Sequence, residues 1–399
     1  MLLTLVSAVV AAWLVFRPGG GDAPDPTLPP DQAPPPASVP EAAGVDGEFL
    51  FNYYDQDGDH SPVTGGLGTE ALQVLSPVVV AQWAINDRWA LNTSIGLDQI
   101  TSASTDNIDD DISSASRVDQ RAFTTLEVAR EVGTQTIGVS GGFSHEYDYS
   151  SVMTGLRWTR DFNRDNTTLA TSGRYYADQV SLYDIDGIDR GSERRHTADL
   201  ALSVTQLLGR RTVATIDVAW TAQRGFLSTP FHEVIVAPSP DLPVDHRVAE
   251  RLPDTRDRRA IGVRGNSALT DWLVQRGGYR FYNDTFGITA HSIESETHLR
   301  LPASNEMWVF PILRFHRQSA SRYFGLPGTQ RVDTEFFTAD GDLGRFDSWR
   351  YGGGWKWIGA GNTTLGWLPF RSVETRLTVY ERSDGLRTIA SSVGLGWGF

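Results

Sequence analysis

Hydrophobicity in this chain repeats with a period of two. From Glu48 onward, segments of about ten residues alternate apolar and polar side chains. Successive side chains of an extended strand point to opposite faces, whereas a helix groups residues three and four apart. Trp89, Leu91, Ile95 and Leu97 share one face of the third such segment, with Asn92, Ser94 and Asp98 on the other. The fifth segment sets Ile137, Val139 and Phe143 against Thr136, Ser140 and Ser144. The twelfth sets Ile293, Leu299 and Leu301 against Glu294, Glu296, His298 and Arg300. No long stretch carries the helical spacing, so the chain must fold as sheet with one apolar and one polar face per strand.

The connections alternate as well. Short turns such as Asn86-Asp87-Arg88, 131–134, 208–211, 268–271 and 302–306 interleave with longer polar stretches at 54–69, 102–119, 177–193, 223–257 and 319–346. Briefer connections fall near 147–151, 283–291 and 383–386. Outer-membrane barrels are built with short periplasmic turns and longer extracellular loops. The pattern therefore predicts an all-β fold, a closed antiparallel transmembrane β-barrel of about 16 strands, with roughly 14 to 18 as its bounds. Both ends of the barrel then face the periplasm.

Composition sharpens this by exclusion. The uninterrupted apolar runs after Phe16 are tetrapeptides such as Val78-Val79-Val80-Ala81, far short of the roughly 20 residues a membrane-spanning helix needs. The absence of Cys removes disulfides and thiolate metal sites. A net charge of −14, with Lys356 the single lysine and the arginines scattered among carboxylates, argues against a nucleic-acid partner, which would require clustered cations.

Three regions follow along the chain. Residues 1–17 open with the apolar stretch Met1 to Phe16, the length of a signal-peptide core or apolar anchor. Residues 18–46 hold Pro18, Pro24, Pro26, Pro29, Pro30, Pro34, Pro35, Pro36 and Pro40, a composition expected of an extended flexible spacer. Residues 47–399 are the expected barrel.

Trp89, Trp158, Trp220, Trp272, Trp308, Trp355 and Trp357 lie near predicted strand ends, where aromatic girdles meet the membrane boundary. The last strand places Val393, Leu395, Trp397 and the terminal Phe399 on one face with small residues on the other. An alternating final strand that ends in Phe resembles the signal read by the outer-membrane assembly machinery of Gram-negative bacteria. Membrane lipid and that machinery are the expected partners, with small solutes as candidates.

Several loop-flanking stretches resemble a large family of bacterial outer-membrane proteins known only as a domain of unknown function. They include Leu97-Asp98-Gln99-Ile100-Thr101-Ser102-Ala103-Ser104, Ser144-His145-Glu146-Tyr147-Asp148-Tyr149-Ser150-Ser151 and Gly225-Phe226-Leu227-Ser228-Thr229-Pro230-Phe231. Arg251-Leu252-Pro253-Asp254-Thr255-Arg256 and Tyr282-Asn283-Asp284-Thr285-Phe286-Gly287-Ile288 extend it, as do Gln318-Ser319-Ala320 and Phe346-Asp347-Ser348. The resemblance implies an outer-membrane barrel and no particular activity.

Charge concentrates on the predicted lumen face of the C-terminal strands: Arg276, Arg280, Glu294, Glu296, His298, Arg300, Arg314, His316, Glu374 and Arg376. Such side chains either pair across strands to fill and rigidify the lumen, which is the preferred reading, or line a constriction that selects solutes. Their placement inside follows from cost, since an Arg facing lipid near the midplane costs about 2–4 kcal/mol. His298 and His316 with Glu294 or Glu296 are the nearest approach to a metal set, and no cofactor is expected. Asp55 to Asp59, Asp184 to Asp189 and Asp109-Asp110-Asp111 are acidic stretches without EF-hand spacing, read as solvated loops.

Ser144-His145-Glu146 cannot form a triad, because neighbours on a strand face opposite ways. Ser319, His316 and Asp347 have no better support. With no G-x-S-x-G, P-loop or H-E-x-x-H pattern, the expectation is a non-enzymatic barrel, a porin-like channel or a structural scaffold. A barrel hydrolase, or a surface binding protein acting through the 223–257 loop, are the alternatives.

Overall fold

A computed structural model of the 399-residue chain describes residues 44–102, 118–183, 188–240, 244–302, 307–365 and 368–398. The expected signal segment and the expected spacer up to residue 43 lie outside the described residues, as do Asp109-Asp110-Asp111, most of the 184–189 stretch and Phe399, while Gly44, Val45 and Asp46, expected in the spacer, are the first residues of the first strand.

The first nine strands run in order as β1 Gly44–Asp57, β2 Leu72–Asn86, β3 Trp89–Ser102, β4 Val118–Val132, β5 Gln135–His145, β6 Tyr149–Phe162, β7 Thr167–Tyr183, β8 Asp189–Leu207 and β9 Thr212–Gly225. Two short strands, β10 Glu233–Ile235 and β11 Arg247–Ala249, form a separate hairpin within one loop. The chain then continues through β12 Thr255–Ala268, β13 Leu273–Asp284, β14 Thr289–Arg300, β15 Met307–Gln318, β16 Phe346–Leu365, β17 Leu368–Arg382 and β18 Arg387–Gly398. All but the small hairpin pair antiparallel with their sequence neighbours, and β18 closes onto β1, giving a closed sixteen-stranded barrel.

Sequence alternation sets which face is which. On β3, Ile95 and Leu97 are 55% and 59% exposed on the outer surface, while Asp98 between β2 and β4 is only 5% exposed. Ile137, Val139 and Phe143 repeat this on β5, as do Leu200 and Leu202 on β8, Ile216 and Val218 on β9, and Ile261 and Val263 on β12. Together they form the apolar outer band that meets lipid. The turns on the side of the chain termini are tight. Gly133, at φ 64°, reverses the chain between β4 and β5, and Asn163, Arg164 and Asp165 all take positive φ between β6 and β7, conformations suited to Gly, Asn and Asp.

Two expectations change. The 177–193 stretch is not a long loop, because β7 and β8 extend to Tyr183 and from Asp189 as one paired ribbon. A membrane strand needs only about 9–11 residues, so these two continue past the lipid with polar residues on both faces, which hides them from a search for apolar alternation. Trp308 is not part of the outer girdle. It lies on the inward register of β15, with the Arg300 guanidinium 5.5 Å from its ring centre.

Candidate functional site in the lumen wall and its cap

From β12 through β16, and between β16 and β17 as far as Ile358, cross-strand partners share parity, even-numbered residues pairing with even and odd with odd. The even positions face the lumen, and the expected lumen residues Arg276, Arg280, Glu294, Glu296, His298, Arg300, Arg314, His316, Glu374 and Arg376 all occupy them. The structure sorts these residues into levels.

Nearest the periplasmic side, Glu296 accepts from Arg276 Nη1 at 3.1 Å, from Arg376 Nη1 at 3.0 Å, and contacts His298 Nε2. Glu374 accepts from Lys356 Nζ at 2.8 Å and Arg376 Nε at 2.7 Å. Arg376 on β17 reaches Glu296 on β14 by lying over Phe310, whose ring centre is 4.7 Å from the guanidinium and 4.5 Å from that of His298. Gly354 stands opposite Phe310, and a Cβ there would collide with the ring. The missing side chain on β16 is what lets aromatic and cations stack flat against the wall.

At mid-height Asp217 of β9 sits 3.4 Å from Arg264 and 3.6 Å from Arg280. Gly262 lies between them, where any side chain would strike the carboxylate. A cavity of about 90 Å³ opens here beside Arg264, Arg280, Glu294 and Arg314. Higher still, the Arg256–Asp284 pair at 2.5 Å is shielded from solvent on both sides, Tyr282 donates to Asp284 at 2.9 Å, and Arg195 meets Asp178 at 3.4 Å.

His316 occupies this upper level, its Nδ1 2.8 Å from Ser292 Oγ. Six residues along β14 separate the level of Ser292 from His298, about 20 Å, so the two histidines are not brought together. Arg300 lies at the periplasmic rim and donates to the Asp271 carbonyl at 3.3 Å. Arg317 and not His316 engages Asp347, at 2.7 Å, and Ser319 Oγ accepts from the Thr289 backbone at 2.9 Å. Asp55 lies within β1 and accepts from Tyr53 and Gln73, which makes it a strand residue rather than a loop ligand.

The extracellular end carries a folded cap. Loops 58–71, 226–254 and 319–345 pack on one another through the buried set Val234, Phe337 and Ala339 with Val248. Glu233 N donates to Val63 O at 2.7 Å, and Ala237 N to Gln330 O at 2.7 Å. Going round the barrel, seven steps separate β1 from β12 and seven separate β2 from β9. Loops rooted on opposite sides therefore touch, and the cap crosses the mouth. A 3-10 turn, Gly341–Leu343, drops from it onto the wall: Leu343 packs among Ala260, Tyr282, Ile288 and Ala290. Gln318 Nε2 donates to the carbonyls of Asp342 and Gly344, and Arg382 holds Asp342 and the Gly341 carbonyl.

Within the cap, Glu250 and His232 are both buried. Glu250 accepts from Thr229 N at 2.7 Å, and His232 Nδ1 lies 3.1 Å from the Pro62 carbonyl. Burial pushes the Glu250 carboxyl above its ordinary value of 4.5, against the pull of His232.

The family model described as a protein of unknown function, DUF3570, matches residues 106–357. The chain belongs to that family. No curated protein matches its sequence. Among solved structures it is similar to a mutant of the ferric enterobactin receptor PfeA of Pseudomonas aeruginosa, with 12% identity and a TM-score of 0.45, covering 85% of this chain and 54% of that one. The chain thus spans about half the length of that receptor. It is also similar to OpdK of Pseudomonas aeruginosa, solved with vanillate, at 9% identity and a TM-score of 0.41 over 90% of this chain and 99% of that one. A bacterial polysaccharide outer membrane secretin shares 10% identity at a TM-score of 0.45, over 88% and 98%. These are general likenesses of barrel type and carry nothing about cargo. The closed barrel and its apolar outer band make this DUF3570 member an outer-membrane protein.

Sequence alternation alone does not single out Arg256, Arg258, Asp284, Asp217, Lys356 or Arg382. Arg256 falls inside the long 223–257 stretch and Arg258 directly after it, so both read as loop, although they share the even register of Arg264. Lys356 stood out only as the sole lysine, and its setting between Trp355 and Trp357 was the available signal that a charge alternates with two outward aromatics.

Proposed function

We propose that this protein is a porin-like channel of the outer membrane that passes small polar solutes. The observation that carries the reading is the direction of its ion pairs. Arg276 to Glu296, Lys356 to Glu374, Arg264 and Arg280 to Asp217, and Arg157 to Glu127 join strands that are adjacent or nearly so in the wall. Charges paired along the wall brace it without crossing the middle. A sixteen-stranded circumference encloses more lumen than inward side chains fill, and polar groups left facing that space need water beside them. Residues 1–17 then serve export, residues 18–43 act as a periplasmic spacer, and the assembly machinery receives the C-terminal strand.

The purified barrel, shown to be folded by heat-modifiable gel mobility, is expected to give discrete ion conductance in planar bilayers. Folded protein that stays silent across a wide voltage range would reject the channel. The cap across the mouth favours a second reading, a closed structural barrel, and that silence is the result it requires.

A further inference from the structure

The lumen wall from β12 to β17 is basic in a protein that is acidic overall. The even, inward positions of these six strands hold eleven Arg or Lys residues against four Asp or Glu, while the whole chain carries −14. The local carboxylates do not use all the donors. At the upper level Arg258 is 8% exposed, and its Nε and Nη2 are buried with no hydrogen-bond partner. Its neighbours Arg256 and Arg195 take the two nearby acids, Asp284 and Asp178. At mid-height Arg280 Nε and Nη2 are likewise unpartnered, beside the 90 Å³ cavity. At the lower level Arg276 Nε and Arg376 Nη2 are unpartnered in addition to the bonds those side chains make.

Arg258 pairs in register with Asp284, four residues above Arg280 on β13, and Arg276 lies four residues below it. The three levels are therefore about 13 Å apart down one side of the lumen. A buried guanidinium with idle N–H groups is costly unless an acceptor arrives. An anion satisfies both the charge and the donors, and oxyanions do so with two parallel bonds.

We infer that this wall is a path for small oxyanions, carboxylates or phosphates, which exchange hydration for spare arginine donors at each level in turn. Spacing the donors over three shallow stations, each shared with a carboxylate, lets an anion bind and leave, as conduction requires. Opposite, the inward charges of β3 to β6 balance one another, Arg121 with Asp98 and Arg157 with Glu127, among small residues such as Ser94, Ser140 and Gly142, so the solute is drawn to the basic side of the lumen. This inference rests on the channel reading and names its solute class.

Reversal potentials in a potassium chloride gradient test it on the full-length barrel. Chloride is expected to permeate about fivefold better than potassium, the effect of roughly one unit charge at contact distance in water. Arg258→Gln with Arg280→Gln is expected to bring the ratio close to unity, while Arg258→Lys with Arg280→Lys retains anion preference. Arg258→Gln removes an unpaired buried charge, so that barrel is expected to fold, with gel mobility as the check. Inorganic phosphate or succinate added to one chamber is expected to reduce chloride current in the wild type and not in the Gln pair. Cation preference in the wild type, or selectivity unchanged in the Gln pair, overturns the anion path while leaving a channel. If no salt is conducted, titration of phosphate into the detergent-folded barrel decides separately: binding lost in the Gln pair supports the anion wall, and no binding to the wild type overturns it.

Discussion

Glu296 and Arg258 make opposite predictions from the same physics. Glu296 accepts from two guanidiniums and touches an imidazole, so replacing it with Leu leaves Arg276 and Arg376 facing each other without their shared anion. Removing one partner of a shielded ion pair typically costs about 3–5 kcal/mol. Glu296→Leu is therefore expected to lower the urea midpoint of unfolding, followed by loss of the fast-migrating gel band, with Glu296→Gln intermediate. Arg258 makes no ion pair of its own, Asp284 being held by Arg256, so Arg258→Met gives up little pairing and is expected to leave that midpoint unchanged or raise it. A destabilisation by Arg258→Met as large as that by Glu296→Leu would mean that an acceptor already satisfies the guanidinium.

Among the strands, β1 and β18 bear the burden of closure, since they are joined by hydrogen bonds and packing alone. Trp397 lies flat across Gly47 of β1, in register with it, and a Cβ at that glycine would run into the indole. Gly47→Val is expected to push Trp397 off the seam and reduce the heat-modifiable fraction recovered from outer membranes, with Gly47→Ala milder. Deleting Phe399, the terminal residue of the expected assembly signal Val393, Leu395, Trp397 and Phe399, is expected to impair insertion and leave the refolded channel's conductance intact. Normal insertion of that truncation would remove the signal from consideration. Strands such as β3, β5 and β14 were readable in the sequence because lipid on one side and water on the other impose period two. The upper parts of β7 and β8 were not, because water bathes both of their faces. Site membership was readable only as parity. That Glu296 and Arg376, 80 residues apart, meet over Phe310 depends on barrel curvature and on the bare Gly354, neither of which leaves a local pattern. Arg256 and Arg258 were missed because strand β12 begins at the very edge of a long polar stretch.

At the scale of the whole molecule, a wide barrel is joined to a narrow cap. The wall is held by a continuous hydrogen-bonded sheet, but the cap rests on a small buried cluster, Val234, Phe337, Ala339 and Val248, and on a few loop contacts. Opening is therefore expected to occur in the cap, where local stability is lowest. Glu250 makes that equilibrium depend on pH. The groups facing it are His232, Thr229 and Thr338, and burial raises its carboxyl above the ordinary 4.5. A carboxyl with a raised value in the packed state binds its proton more tightly there than when the cap is open. Its stabilising contribution is complete below pH 4.5 and is lost as pH rises through the higher packed value. The wild-type channel is thus expected to conduct less at acidic than at neutral pH, with the transition above the ordinary carboxyl value. Glu250→Gln mimics the protonated form and is expected to hold low conductance at both, while deleting residues 341–343 is expected to raise conductance at both. Single-channel open probability measured between acidic and neutral pH checks the sign. Greater conductance at acidic pH, or an unchanged profile in Glu250→Gln, would place the gate outside this cap.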